Sequence, residues 1–274
     1  MTLRPLVAAL VVFTVALEAQ TPTAAPAAQA APQAPAAVPS CPELAAALRT
    51  VTTNDVRLKD WSNLGRYREA NRSVTGADVV FMGDSITDNW QQARFGGFFP
   101  GKAYVDRGVS GQTTPQMLVR FRADVINLHP KAVVILAGTN DIAGNTGPAT
   151  DEEIEGNLAS MSELATASGV RVVLASITPV SAYHVTGPNA VPQTTARPMT
   201  RILAVNAWMR TYATSHRHVY LDYFSAMTDA TGLLRENLSA DDLHPTAAGY
   251  TVMAPLAEAA IAKALATGRR PADR

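Results

Sequence analysis

Three short segments carry side chains suited to acyl chemistry. Gly83-Asp84-Ser85-Ile86 offers a hydroxyl, Gly138-Thr139-Asn140-Asp141 a side-chain amide, and Asp241-Asp242-Leu243-His244-Pro245 an imidazole with carboxylates just ahead of it. A fourth, Arg107-Gly108-Val109-Ser110-Gly111-Gln112-Thr113-Thr114-Pro115, reads as a small-residue turn running into a helix. A serine hydroxyl attacks well only when a base takes its proton, and imidazole, with an unperturbed pKa of about 6.5, suits that task near neutrality. His244 is therefore the candidate base for Ser85. Helix N-termini present unpaired N–H groups that attract negative charge, and a glycine beside one lets a substrate approach the backbone closely. Singly these are weak signals, because Gly-Asp-Ser is often only a turn and an Asp near a His only a surface pair. Their joint order along the chain gives them weight.

The elements that must position these residues follow from hydrophobic periodicity. Short branched runs predict strands at Asp78–Met82, Ala103–Asp106, Ala132–Ala137, Arg171–Ile177 and Val219–Asp222. Between them, Thr114–Leu128, Asp151–Ser168 and Met199–Ser215 carry apolar positions at three- and four-residue spacing and read as crossover helices. Pro42–Arg49 and Asp55–Asn71 read as helices before the first strand, and Pro245–Thr267 as an Ala-rich terminal helix with Pro245 in its first turn. The expected fold class is α/β, a three-layer α/β/α sandwich on a five-stranded parallel sheet with the flavodoxin-like order 2-1-3-4-5. Such a sheet binds ligands beyond the carboxyl ends of its strands, where the strand order reverses. The segments after Met82 and after Ala137 fall there, which brings Ser85 and Asn140 together.

Taken together, the four segments resemble the blocks of the GDSL/SGNH hydrolase family, with Ser85, Gly111, Asn140 and His244 on its four defining positions and the match running from about Ala77 to Tyr250. The wording Arg-Gly-Val-Ser-Gly-Gln-Thr-Thr and Leu-Ala-Gly-Thr-Asn-Asp-Ile looks most like the branch of platelet-activating-factor acetylhydrolase catalytic subunits. The resemblance implies a carboxylic ester hydrolase that forms an acyl-enzyme, needs no cofactor and no metal, and acts on a small-molecule or glycan ester. It implies Ser85 as nucleophile, His244 as base and, from the family's Asp-x-x-His spacing, Asp241 as the residue that orients His244. The oxyanion hole implied is Ser85 N–H, Gly111 N–H and the Asn140 amide. Asp84 is expected to shape the serine loop, and Asp141 to brace the Asn140 loop. Trp90 reads as a core anchor, with Asp88 and Asn89 as nearby polar groups. Because Thr87 stands two residues after Ser85, the segment is not the Gly-x-Ser-x-Gly elbow of α/β-hydrolases.

Composition bounds the alternatives. The chain has 274 residues, 47% hydrophobic, with 23 basic and 23 acidic side chains, enough for one substantial core and no basic field for nucleic acid. Residues 1–19 read as a signal peptide whose apolar run, Leu6–Leu17, is too short to span a bilayer, so a secreted or periplasmic protein without stable membrane insertion is expected. Residues 20–41 read as a disordered Ala/Pro-rich linker and 42–274 as the hydrolase domain. Cys41 is the only cysteine, which leaves no intramolecular disulfide, and no His-Glu-x-x-His metal pattern occurs. His129, His216 and His218 read as turn or strand-flanking residues, whereas His184, in the long irregular segment Val180–Pro198, lies on the side of the expected site. Without a long apolar run around Ser85, short acyl groups, acetyl foremost, are expected, with a carbohydrate O-deacetylase as one form of that activity. The alternatives are a lysophospholipase or broad carboxylesterase, or a non-catalytic ligand-binding module on the same fold.

Overall fold

The structure, a computed structural model, describes residues 41–266. The apolar run and Ala/Pro tract of residues 1–40 lie outside the described residues. The described residues from Leu48 onward form one compact unit, and of the other the described part is the start of the first helix, Cys41–Ala47.

In chain order the elements are α1 (Cys41–Lys59), α2 (Arg68–Arg72), β1 (Val79–Gly83), α3 (Ser85–Trp90), β2 (Tyr104–Gly108), α4 (Thr114–Asp124), β3 (Ala132–Leu136), α5 (Thr139–Ile142), α6 (Asp151–Ala167), β4 (Arg171–Ala175), α7 (Gln193–Ala196), α8 (Met199–Ser215), β5 (Val219–Leu221), α9 (Tyr223–Met227) and α10 (Ala247–Ala266). The sheet is parallel throughout, in the expected order β2-β1-β3-β4-β5. Every residue of β1 and β3 is buried, as a parallel sheet covered on both faces demands.

Alternation along the strands splits the core in two. Val80, Met82, Val133, Ile135, Val172 and Leu174 face Met117 and Phe121 of α4, Ile154, Leu158 and Met161 of α6, and Ile202, Val205 and Met209 of α8. Val79, Phe81, Val134, Val173 and Val219 face Ile86 and Trp90 of α3 and Tyr250, Met253, Ala257 and Ile261 of α10.

The structure departs from the sequence reading at three ends. In place of two helices over Pro42–Arg49 and Asp55–Asn71, α1 is continuous to Lys59. The chain then turns because the Asp60 carboxylate accepts N–H bonds from Leu64 and Gly65, at 2.7 and 2.8 Å, and Asn63 adopts a left-handed φ of 55°. The helix expected over Thr114–Leu128 stops at Asp124, and a single 3₁₀ turn, Ile126–Leu128, closes on His129 at φ 50°. Pro245 precedes α10 and bridges to Ser239, so it lies outside the helix's first turn.

Candidate active site

Strand register delivers three loops to one level. Gly83 of β1 pairs with Gly108 of β2 on one side and Leu136 of β3 on the other, and Ser85, Gly111 and Asn140 follow those residues by two to four positions. The fit is close: a Cβ on Gly108 would stand 2.1 Å from the Asp88 backbone nitrogen, so β2 can lie this near α3 only with glycine there.

Ser85 heads α3, where its N–H has no intrahelical acceptor. Asp84 caps that helix: its Oδ1 accepts the Ile86 N–H at 2.9 Å, and its Oδ2 is buried without a partner. Burial pushes the Asp84 carboxyl up to about 6, against the Ile86 hydrogen bond. Asp84 thus shapes the serine turn as expected.

Ser85 Oγ lies 2.9 Å from His244 Nε2, and His244 Nδ1 lies 2.7 Å from Asp241 Oδ2. The carboxylate only accepts, so Nδ1 carries the proton and Nε2 is left to accept from Ser85. The second Asp241 oxygen accepts the His244 and Leu243 N–H groups at 2.7 and 3.1 Å. Partial burial raises the Asp241 carboxyl, but the His244 side-chain and backbone bonds outweigh it and hold the group well below the ordinary carboxylate range. Asp242 turns the other way, at a φ of 67°, and accepts from Ser181 Oγ, the Tyr183 and His184 N–H groups and His184 Nδ1. His184 is thereby tied to the Asp241–His244 turn through Asp242 rather than through Ser85.

Gly111 has a φ of 80°, open to glycine at little cost, and its carbonyl accepts from Asn145 Nδ2 at 3.0 Å. Asn140 is buried and donates from Nδ2 to the Gln112 carbonyl at 3.0 Å, while its Oδ1 faces Arg197 Nη2 at 3.4 Å. Because a carbonyl can only accept and a guanidinium only donate, these partners fix which way the amide points. Asp141 accepts the Thr114 N–H at 2.9 Å and Thr114 Oγ1 at 2.6 Å, pinning the start of α4 to α5.

Asp88 braces the glycine loop: it accepts the Ser110 N–H at 3.1 Å, Ser110 Oγ at 2.6 Å and Arg66 Nη2 at 2.5 Å. Asn89 bonds Gln92, and Trp90 is buried among Phe81, Phe98, Phe99 and Tyr250, the anchor expected of it. His216 stacks on Tyr212 at a ring separation of 4.0 Å, away from Ser85's partners.

Two arginines absent from the sequence reading hold the site. Arg120 is fully buried and donates to the carbonyls of Gly83 and Arg107, to Gln112 Oε1 and to Asp124, joining the ends of β1 and β2. Its signal was a charge at the position of α4 that shares a face with Met117 and Asp124. Arg197, at the end of α7, reaches Thr139 and Asn140 from a segment without periodicity.

Comparison with known proteins supports this architecture. The model of the GDSL-like lipase/acylhydrolase family matches residues 81–252. A solved structure of a Bacteroides fragilis protein named as an acylhydrolase is 40% identical, covering 75% of this chain and 98% of that one at a TM-score of 0.67. A Streptococcus pneumonia protein named for platelet activating factor is 25% identical, covering 78% and 99%, at 0.65. An acetylxylan esterase from Geobacillus stearothermophilus, 20% identical and covering 69% and 96% at 0.53, shares the fold. No curated protein matches the chain. The family match covers more than half of the residues and includes all four segments up to His244, so the chain belongs to the GDSL-like lipase/acylhydrolase family.

Proposed function

We propose that this acylhydrolase cleaves short-chain acyl esters, acetyl esters foremost, through an acyl-enzyme on Ser85. The observation that carries the reading is the hydrogen-bonded series Ser85–His244–Asp241, at 2.9 and 2.7 Å, on a helix N-terminus. His244 Nε2 takes the Ser85 proton as Oγ attacks the ester carbon, and Asp241 steadies the imidazolium that forms. The tetrahedral oxyanion is met by the Ser85 and Gly111 N–H groups and by the Asn140 amide proton not used by Gln112. His244 then returns its proton to the departing alcohol, and water, deprotonated by the same nitrogen, releases the acid and restores Ser85.

Support for a short acyl group comes from the sequence, since the segments before and after Ser85 hold no long apolar run that would form an acyl tunnel or lid. Acetylated sugars are the substrates to try next, since an acetylxylan esterase has the same fold. The test is hydrolysis of p-nitrophenyl esters from acetate to palmitate by wild type and Ser85→Ala. Turnover that is greatest on acetate and butyrate and lost in Ser85→Ala is expected. A preference for palmitate contradicts the short-chain reading, and a folded wild type inactive on every ester, acetylated oligosaccharides included, points to a binding module.

A further inference from the structure

We propose that Arg197 is a positioning residue for the oxyanion hole: its guanidinium orients and polarises the Asn140 amide, so that the N–H aimed at the oxyanion is a stronger donor than a neutral asparagine supplies. The inference rests on the reading of Asn140 as part of that hole.

The geometry is specific. Arg197 Nε donates to Thr139 Oγ1 at 3.0 Å and Nη2 to Asn140 Oδ1 at 3.4 Å, so one planar group spans two successive residues of α5. Gln193 Oε1 holds Nη1, and the Gln193 carbonyl accepts the Arg197 N–H at 2.8 Å. The short helix α7 therefore fixes its terminal arginine at both backbone and side chain. Within the irregular segment between β4 and α8, this turn is what returns a charged group to the sheet end.

Arg197 is 7% exposed, and its hydrogen-bond acceptors, Thr139, Gln193 and Asn140, are all neutral. Among the described residues no carboxylate forms an ion pair with it. Arg120, by contrast, is buried against Asp124 at 3.0 Å. Burial lowers the Arg197 pKa, and the charges of Asp84 and Asp241, neither of them hydrogen-bonded to it, work the other way; its donors are thus left to neutral groups, and its charge can also answer negative charge that develops nearby during the reaction. A cationic donor on Oδ1 draws electron density from the amide nitrogen, and hydrogen bonds in such a series strengthen one another in a low dielectric. One Asn140 N–H is already committed to the Gln112 carbonyl, so the polarisation acts on the other.

The experiment is a double-mutant cycle on p-nitrophenyl acetate with Arg197→Gln, Asn140→Ala and the pair. If Arg197 acts through Asn140, Arg197→Gln lowers kcat by about ten- to hundredfold and changes KM by less than about threefold. In the Asn140→Ala background the same substitution then changes kcat by less than about threefold. Equal losses in both backgrounds, or an intact kcat in Arg197→Gln, overturn the proposal. Assays at high enzyme concentration follow the residual turnover of Asn140→Ala. Should the glutamine variant not accumulate as folded protein, Arg197→Met gives the same comparison, because it keeps much of the apolar stem and removes the charge and every donor. Failure of the underlying reading is separate: it appears as an Asn140→Ala variant with full kcat, or as activity that survives Ser85→Ala.

Discussion

Two carboxylic acids near Ser85 are pushed in opposite directions. Asp241 is held ionised by His244, whereas Asp84, a residue away from the nucleophile, is buried with one free oxygen and titrates at about 6 instead of the ordinary 3.8. The folded state therefore keeps the Asp84 proton over a range where the unfolded chain has released it. Stability from this group is complete below about pH 4 and is lost as pH rises through 6, at a cost on the order of 3 kcal/mol once ionised. Asp84→Asn, which keeps the acceptor for Ile86 N–H, should gain stability relative to wild type between pH 4 and pH 8 by about 2 kcal/mol, read from urea unfolding at the two pH values. A difference independent of pH would show that Asp84 titrates alike in the folded and unfolded chain, so that burial does not raise it. Ser85, Gly111, Asn140, Asp241 and His244 were legible because each sits in a short motif at an element's end. Arg197 was not, because its partners Thr139 and Asn140 lie more than fifty positions away, and nothing in its own segment has a period that points there.

The elements matter here mainly for where they stop. β1, β2 and β3 end in one row, and Arg120 of α4 holds that row by binding the last carbonyl of β1 and the penultimate carbonyl of β2. Arg120→Met keeps the bulk but strands Asp124, which is buried and also bonded to Asn71 at 2.8 Å. Removing one partner of such a pair should destabilise the protein by about 3–5 kcal/mol in denaturant unfolding, with activity falling as the loops lose their common level. A loss under about 1 kcal/mol would show that water or Asn71 satisfies Asp124 without the arginine. The strands and the helices Asp151–Ala167 and Met199–Ser215 were readable from periodicity, since burial on one or two faces leaves a pattern in residue type, and the strand order followed from choosing the flavodoxin-like arrangement for them. Element ends were less readable. The turn after α1 is set by the Asp60 side chain, which accepts the Leu64 and Gly65 N–H groups, and a buried arginine on α4 contradicts the apolar face that defines an amphipathic helix.

At the scale of the whole fold, the sheet divides the core of the described residues into two layers, and the site draws on both. Ser85 comes from α3, on the face shared with α10, while Gly111 and Asn140 lead into α4 and α5, and Arg197 precedes α8 on the opposite face. His244 and Asp241 arrive from the last turn before α10, which itself packs on β3, β4 and β5. The packing of all five strands thus sets the 2.9 Å contact between Ser85 and His244. The direct test of the account is to quench the protein during turnover of p-nitrophenyl acetate and map any acetyl group by mass spectrometry of the intact chain and its peptides. The account predicts one acetyl group per chain, on the peptide containing Ser85, and none in Ser85→Ala. Hydrolysis without a covalent intermediate, or an acetyl group on another residue whose loss abolishes turnover, would contradict it.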